Sequence, residues 1–137
     1  MQTTDPKVIA RTLKHKNIAV VGLSKNPEKD SHEVAVYLQR AGYKIIPINP
    51  TADKILGERA YKDLEDAPLP LDVVNVFRPS SEVSGIVDKA IKIGAKAVWT
   101  QLGITDEEAG ERAMKAGLDF VMNRCMMIEH KKLANRT

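Results

Sequence analysis

The 137-residue chain carries 21 lysines and arginines against 18 aspartates and glutamates, a net charge of +3, with 43% hydrophobic residues and 4% aromatic ones. That balance fits one soluble globular domain spanning residues 1–137; no apolar run approaches the ~18 residues of a membrane span, and the cations are interspersed with acids rather than gathered beside stacking rings, which argues against nucleic acid. A single cysteine, Cys125, excludes an internal disulfide and a thiolate metal cluster, and the opening MQTTDPKVIARTLKHK lacks the apolar core of a secretory signal, so a cytoplasmic protein is expected.

In chain order, Asp5-Pro6 opens a short helix carrying Val8, Ile9 and Leu13. An apolar run, NIAVVGL (17–23), reads as the first strand. Val34, Ala35, Leu38 and Ala41 then recur at helical spacing before Gly42, and YKIIPIN (43–49) is the second strand. Pro47 lies inside that run without an N–H to donate, so it is expected near the strand's end or at a bulge. Asp66-Ala-Pro-Leu-Pro70 is a turn leading into the third strand, LDVVNVF (71–77). Val83, Ile86, Val87, Ala90 and Ile91 mark the next helix, stopped by Gly94, and AKAVWTQ (95–101) follows as the fourth strand. A third crossover helix is expected after Thr105, capped by its hydroxyl with Glu108 three residues on, burying Ala109, Ala113 and Met114 and ending at Gly117. LDFVMN (118–123) is the fifth strand, and 125–133 a final helical turn or two.

Strands alternating with helices predict an α/β protein with a doubly wound, Rossmann-like, five-stranded parallel sheet and helices on both faces. The order expected for five such units is 3-2-1-4-5, which places the ligand crevice at the carboxyl ends of the first and fourth strands.

At the end of the first strand, Gly22 permits a tight turn, and Ser24 and Lys25 stand where loop amides and a helix N-terminus can receive an anion. A glycine after a strand is as often a plain turn. The dinucleotide fingerprint is incomplete, because Ser24 replaces its second glycine and Ile48-Asn49-Pro50 offers no carboxylate for a ribose diol, which disfavours NAD.

Five motifs in order, Val-Val-Gly-Leu-Ser (20–24), Ile-Asn-Pro (48–50), Asp-Val-Val-Asn-Val-Phe-Arg-Pro (72–79), Val-Trp-Thr-Gln-Leu-Gly-Ile (98–104) and Asn-Arg-Cys-Met-Met-Ile-Glu-His (123–130), each close a strand. Together they resemble the coenzyme A-binding domain of the succinyl-CoA synthetase alpha subunit, and more closely the stand-alone bacterial and archaeal CoA-binding proteins. The resemblance implies a site for coenzyme A or acyl-CoA in which Gly22, Ser24 and Lys25 meet the diphosphate. It places Asn49 and Pro50 at the second strand's exit, and Phe77, Arg78 and Pro79 beside the adenine or pantetheine. Thr100, Gln101 and Gly103 match the synthetase's Thr-Glu-Gly turn in part, and Asn123, Arg124 and Cys125 match the Asn/Asp-Arg-Cys of the stand-alone proteins. The synthetase's phosphorylated histidine belongs to a second domain for which this chain has no room, so ligase activity is not implied.

No nucleophile, base and orienting group can be assembled from the sequence, and no metal-ligand spacing exists, so no enzyme activity is assigned. His15 reads as a surface residue and Glu129-His130 as structural. His32 is either a phosphate donor beside the loop or a surface group. Trp99, Phe120 and Met126-Met127 read as core. Cys125 is either a buried small hydrophobe or a thiol in the crevice able to exchange with that of pantetheine. Two rival functions remain at this stage. One is an NAD(P)-dependent enzyme in which Arg78 or Lys25 takes a 2′-phosphate; the other is an interaction domain without a small ligand.

Overall fold

The computed structural model describes residues 5–135. The chain runs α1 (Pro6–Thr12), β1 (Asn17–Val21), α2 (Asp30–Arg40), β2 (Lys44–Ile48), β3 (Lys54–Ile55), β4 (Glu58–Arg59), β5 (Val73–Val76), α3 (Val83–Ile93), β6 (Ala97–Thr100), α4 (Glu107–Lys115), β7 (Asp119–Val121) and α5 (Met126–Ala134). Five parallel strands form the main sheet, and β3 and β4 form a small antiparallel hairpin that the sequence reading did not anticipate.

Strand residues alternate between two cores, as a twofold side-chain period requires. Ile18, Val20, Ile45, Val73, Trp99 and Val121 face α1, α2 and α5. Ala19, Ile46, Val74, Val76, Val98 and Phe120 face α3 and α4. Helices therefore cover both faces, as expected. Trp99 and Phe120 are fully buried.

The sheet order is β2-β1-β5-β6-β7. In terms of the five expected strands this is 2-1-3-4-5, which corrects the predicted 3-2-1-4-5. The third strand does not extend beyond the second; β5 pairs with β1 from Ile18 opposite Val73 to Val21 opposite Val76. Pro47 shows the physical reason. It lies opposite Val20, fourth of the five residues of β2, and its carbonyl turns outward to accept from the Tyr61 amide at 2.9 Å. In a strand the amide and carbonyl of one residue face the same side, so the missing N–H also faces outward. A full strand docked there would lack a donor, whereas an edge tolerates the gap. Among the described residues the outer side carries a single parallel bridge, between Ile48 and Tyr61. No bulge is needed.

The reversal of winding consequently lies between β1 and β5, not between the first and fourth expected strands. From β1 the chain passes through α2 to β2 on one side, and from β5 through α3 to β6 on the other. The loops leaving β1 and β5 diverge and open a crevice between them.

Local signals held with small shifts. Asp5 caps α1 through the Lys7 amide at 2.9 Å. The cap of α4 is Asp106, accepting from the Ala109 amide at 3.0 Å, rather than Thr105. Gly110, also buried in that helix, lies flat against Phe120: a Cβ there would stand 2.6 Å from Cε2 of the ring.

Candidate functional site

Gly22 leaves β1 with a φ of 89°, which an L side chain resists. A Cβ at this position would lie 2.9 Å from Cδ of Arg78 and 3.1 Å from the Phe77 carbonyl oxygen. The exits of β1 and β5 thus touch at a residue that has nothing to put between them.

Beyond Gly22 the loop is stitched to α2. Ser24 donates its amide to Ser31 Oγ at 3.0 Å, and Ser24 Oγ accepts from the Asn26 amide at 3.0 Å. His32 Nδ1 lies 2.8 Å from the Ser24 carbonyl, and because a carbonyl only accepts, Nδ1 carries the proton. His32 therefore holds the loop with this nitrogen. α2 begins without a side-chain cap; the His32 and Glu33 amides both donate to the Lys29 carbonyl at 3.1 Å, which leaves the Asp30 and Ser31 amides to another acceptor.

Two grooves flank this point. The first, about 670 Å³, has Ser24, Lys29, Asp30 and Glu33 among its polar lining and Phe77, Leu102, Ile104, Cys125 and Met127 among its apolar lining. The second, about 510 Å³, is lined by Asn49, Pro50, Thr51, Lys62, Asp63, Glu82 and Lys89 with Ile48, Leu64 and Ile86. Gly22, Ser24 and Arg78 line both. Arg78 grips Glu82 through both arms of its guanidinium, at 3.1 and 2.7 Å. That pairing raises the Arg78 pKa and lowers that of Glu82. Lys89 is paired with Asp63, whose carboxyl is held below its ordinary pKa first by this hydrogen bond.

A buried amide pair underlies the first groove. Asn75, fully buried in the middle of β5, accepts from Gln101 Nε2 at 2.6 Å and directs its own Nδ2 toward Met126 Sδ at 3.9 Å. Gln101, buried, lines the groove.

Of the residues expected at the site, Gly22, Ser24, Asn49, Pro50, Phe77, Arg78, Gln101 and Cys125 line one groove or the other. Asn49 is largely committed: Oδ1 accepts from the amides of Thr51 and Ala52 and from the Thr51 hydroxyl, and Nδ2 donates to the Leu23 carbonyl. Lys25, Pro79, Thr100, Gly103, Asn123 and Arg124 are not among the lining residues of these two grooves. Several of them lock the neighbouring loops instead. Thr100 Oγ1 donates to the Ile104 carbonyl at 2.7 Å and accepts from the Asn123 amide at 3.0 Å. Asn123, at φ 60°, accepts the Gly103 amide at 2.7 Å. The Arg124 carbonyl accepts from Trp99 Nε1 at 2.8 Å.

The sequence reading missed Ser31, Lys62 and Asn75. A lone amide inside the apolar run VVNV was a legible signal for Asn75; Lys62, an ordinary loop lysine in sequence, offered none.

His130 receives or donates at Nδ1 to the Tyr37 hydroxyl, 2.8 Å away, and packs edge-on to Tyr37 and Tyr43. It is tied into the helical face, as its structural reading expected. Among the described residues no group of three or more His, Cys, Asp or Glu is placed to hold a metal. No helix among them is long and apolar enough to cross a membrane.

Comparison with known proteins gives these grooves a context. Residues 16–131 match the family described as the CoA binding domain. The chain belongs to that CoA-binding family. It is 41% identical over 115 residues to the uncharacterized protein YneT of Bacillus subtilis, covering 84% of this chain and 85% of YneT. The alpha subunit of an ADP-forming acetate–CoA ligase II from Pyrococcus furiosus is 30% identical over 125 residues; the match covers 82% of this chain and 27% of that subunit. Among solved structures, a hypothetical protein from Pyrococcus horikoshii OT3 superposes with a TM-score of 0.91 at 38% identity, covering 98% of this chain and 95% of that one. The CoA-binding family thus includes stand-alone chains of this size and segments of much longer ligases.

Proposed function

We propose that this protein binds coenzyme A or an acyl-CoA as a non-catalytic module, with the diphosphate at Gly22, Ser24 and Arg78. The nucleotide occupies the second groove, and the pantetheine arm follows the first past Phe77 and Leu102 toward Cys125. The observation that carries this reading is the pair of grooves meeting at Gly22 and Arg78 in a chain of the CoA-binding family. One groove offers cations and the other an apolar wall, which matches the two chemically different halves of the ligand. Lys25 joins the diphosphate from the loop, and Thr100, Gly103, Asn123 and Arg124 act by shaping the far wall.

A binding role is favoured over catalysis because two of the three histidines are engaged elsewhere: His32 Nδ1 on the Ser24 carbonyl, His130 on Tyr37. Neither of these two Nδ1 atoms is available to the Cys125 thiol as a general base. A nicotinamide dinucleotide is disfavoured because the carboxylates of the second groove are occupied, Asp63 by Lys89 and Glu82 by Arg78.

The test is thermal and calorimetric titration with coenzyme A, acetyl-CoA and NAD. At ligand a hundredfold above its dissociation constant, coenzyme A should add about 2.7 kcal/mol of stability. For a chain of this size that is a melting shift on the order of 10 °C. NAD should give none, and a larger shift with NAD than with coenzyme A would overturn the proposal.

A further inference from the structure

We propose that Lys62 recognises a phosphate monoester on the ligand's ribose, so that the second groove selects 3′-phosphorylated adenine nucleotides over those carrying only a diphosphate. This rests on the nucleotide reading of that groove. Its cations differ in their commitments. Arg78 stands at the junction with the first groove and is paired with Glu82; Lys89 is paired with Asp63. Asp63 is further used as the cap of the following turn, accepting the Glu65 amide at 3.1 Å. It is therefore engaged and not free to neutralise Lys62. Lys62 itself has no hydrogen-bond or ion-pair partner among the described residues, and it lines the groove beside Asn49, Pro50 and Thr51.

Its backbone is held in place from both sides. Tyr61 donates to the Pro47 carbonyl at 2.9 Å and accepts from the Asn49 amide at 2.8 Å, which pins the residue before Lys62 to the edge of β2. Asn49 Oδ1 fixes the opposing turn through the Thr51 and Ala52 amides at 2.8 and 3.1 Å. The anchor is fixed while the exposed Lys62 side chain has no partner to give up, so an arriving anion has only that side chain to order. The chemistry of the ligand supplies the rest. A 5′-diphosphate and a 3′-phosphate hang from one ribose, so a groove that receives the first at Gly22 and Arg78 brings the second within reach of the same walls. Lys25 does not line this groove and Lys29 lines the other.

The experiment is isothermal titration of the parent, Lys62→Ala and Lys62→Arg with coenzyme A and with dephospho-coenzyme A, supported by thermal melts to show equal folding. The parent should prefer coenzyme A by roughly tenfold, the scale of one charge-assisted contact in a partly solvated site. Lys62→Ala should bind coenzyme A as weakly as dephospho-coenzyme A and leave the affinity for the latter unchanged, and Lys62→Arg should restore the preference. If the parent binds both ligands equally, or Lys62→Ala keeps the preference, this assignment fails while coenzyme A binding stands. If the parent binds neither ligand, the functional proposal fails and takes this one with it.

Discussion

Gly22 shows how one missing side chain sets up a site. Its positive φ costs an L residue conformational strain, and the space for a Cβ is already taken by the Arg78 stem and the Phe77 carbonyl. Arg78 can fold its aliphatic part across Gly22 and still reach Glu82 with its guanidinium, which keeps the charged end at the junction of the two grooves. Gly22→Val would push Arg78 aside and strain the backbone, and ought to cost roughly 1–3 kcal/mol of stability. It should also abolish coenzyme A binding. Denaturant melts and calorimetry on the same sample separate the two effects: a variant that remains folded yet binds like the parent would move the phosphate site away from this loop.

Among the elements, α4 and β7 are fitted through a second glycine used in the opposite sense, for space rather than for dihedral freedom. Gly110 has ordinary helical geometry, and the Phe120 ring lies where its Cβ would stand. Alanine is the better helix former by about 1 kcal/mol, yet overpacking a filled core costs about 1–3 kcal/mol, so packing decides the sign. Gly110→Ala should therefore lower stability by up to roughly 2 kcal/mol. Gly85, inside α3, has no atom within 4 Å of its would-be Cβ, and Gly85→Ala should raise stability by up to about 1 kcal/mol. Urea denaturation of the pair checks both directions, and equal effects would mean that the Phe120 contact does not govern α4.

At the scale of the whole molecule, the long passage from β2 to β5 must cross from one edge of the sheet to the far side of β1. It is tied down on the way by Lys89 with Asp63 and Lys92 with Glu65, both reaching from α3. The Asp63 carboxyl sits below its ordinary pKa in the folded chain. Its contribution is therefore present above the unfolded pKa of about 4 and is lost as pH falls through the lower, folded value. Both partners are partly exposed, which limits the pair to about 0–1 kcal/mol. The stability gap between the parent and Asp63→Asn should be constant near neutrality and shrink as acid is added below about pH 4. A gap unchanged down to acid pH would mean that the pair contributes nothing.

What the sequence by itself determined was local and periodic. The apolar runs around NIAVV and VVNV and the helical spacing in 34–41 and 83–91 defined the elements, because those patterns depend only on neighbours along the chain. The motifs closing each strand likewise marked the family and the loops where a ligand would be received. Strand order was another matter. Pro47 already carried the statement that β2 is an edge, but that meaning appears only once its carbonyl is seen turned outward to Tyr61. Order depends on which distant strand reaches the free side of β1, a competition among long-range pairings that no local pattern records. The tertiary structure also decided which expected site residues line the two grooves: Thr100, Gly103 and Asn123 share the right motifs, yet spend polar groups on one another. Lys62 comes to the groove for the same reason that the order was hidden, because a single bridge at the edge of β2 folds the chain back beside Asn49.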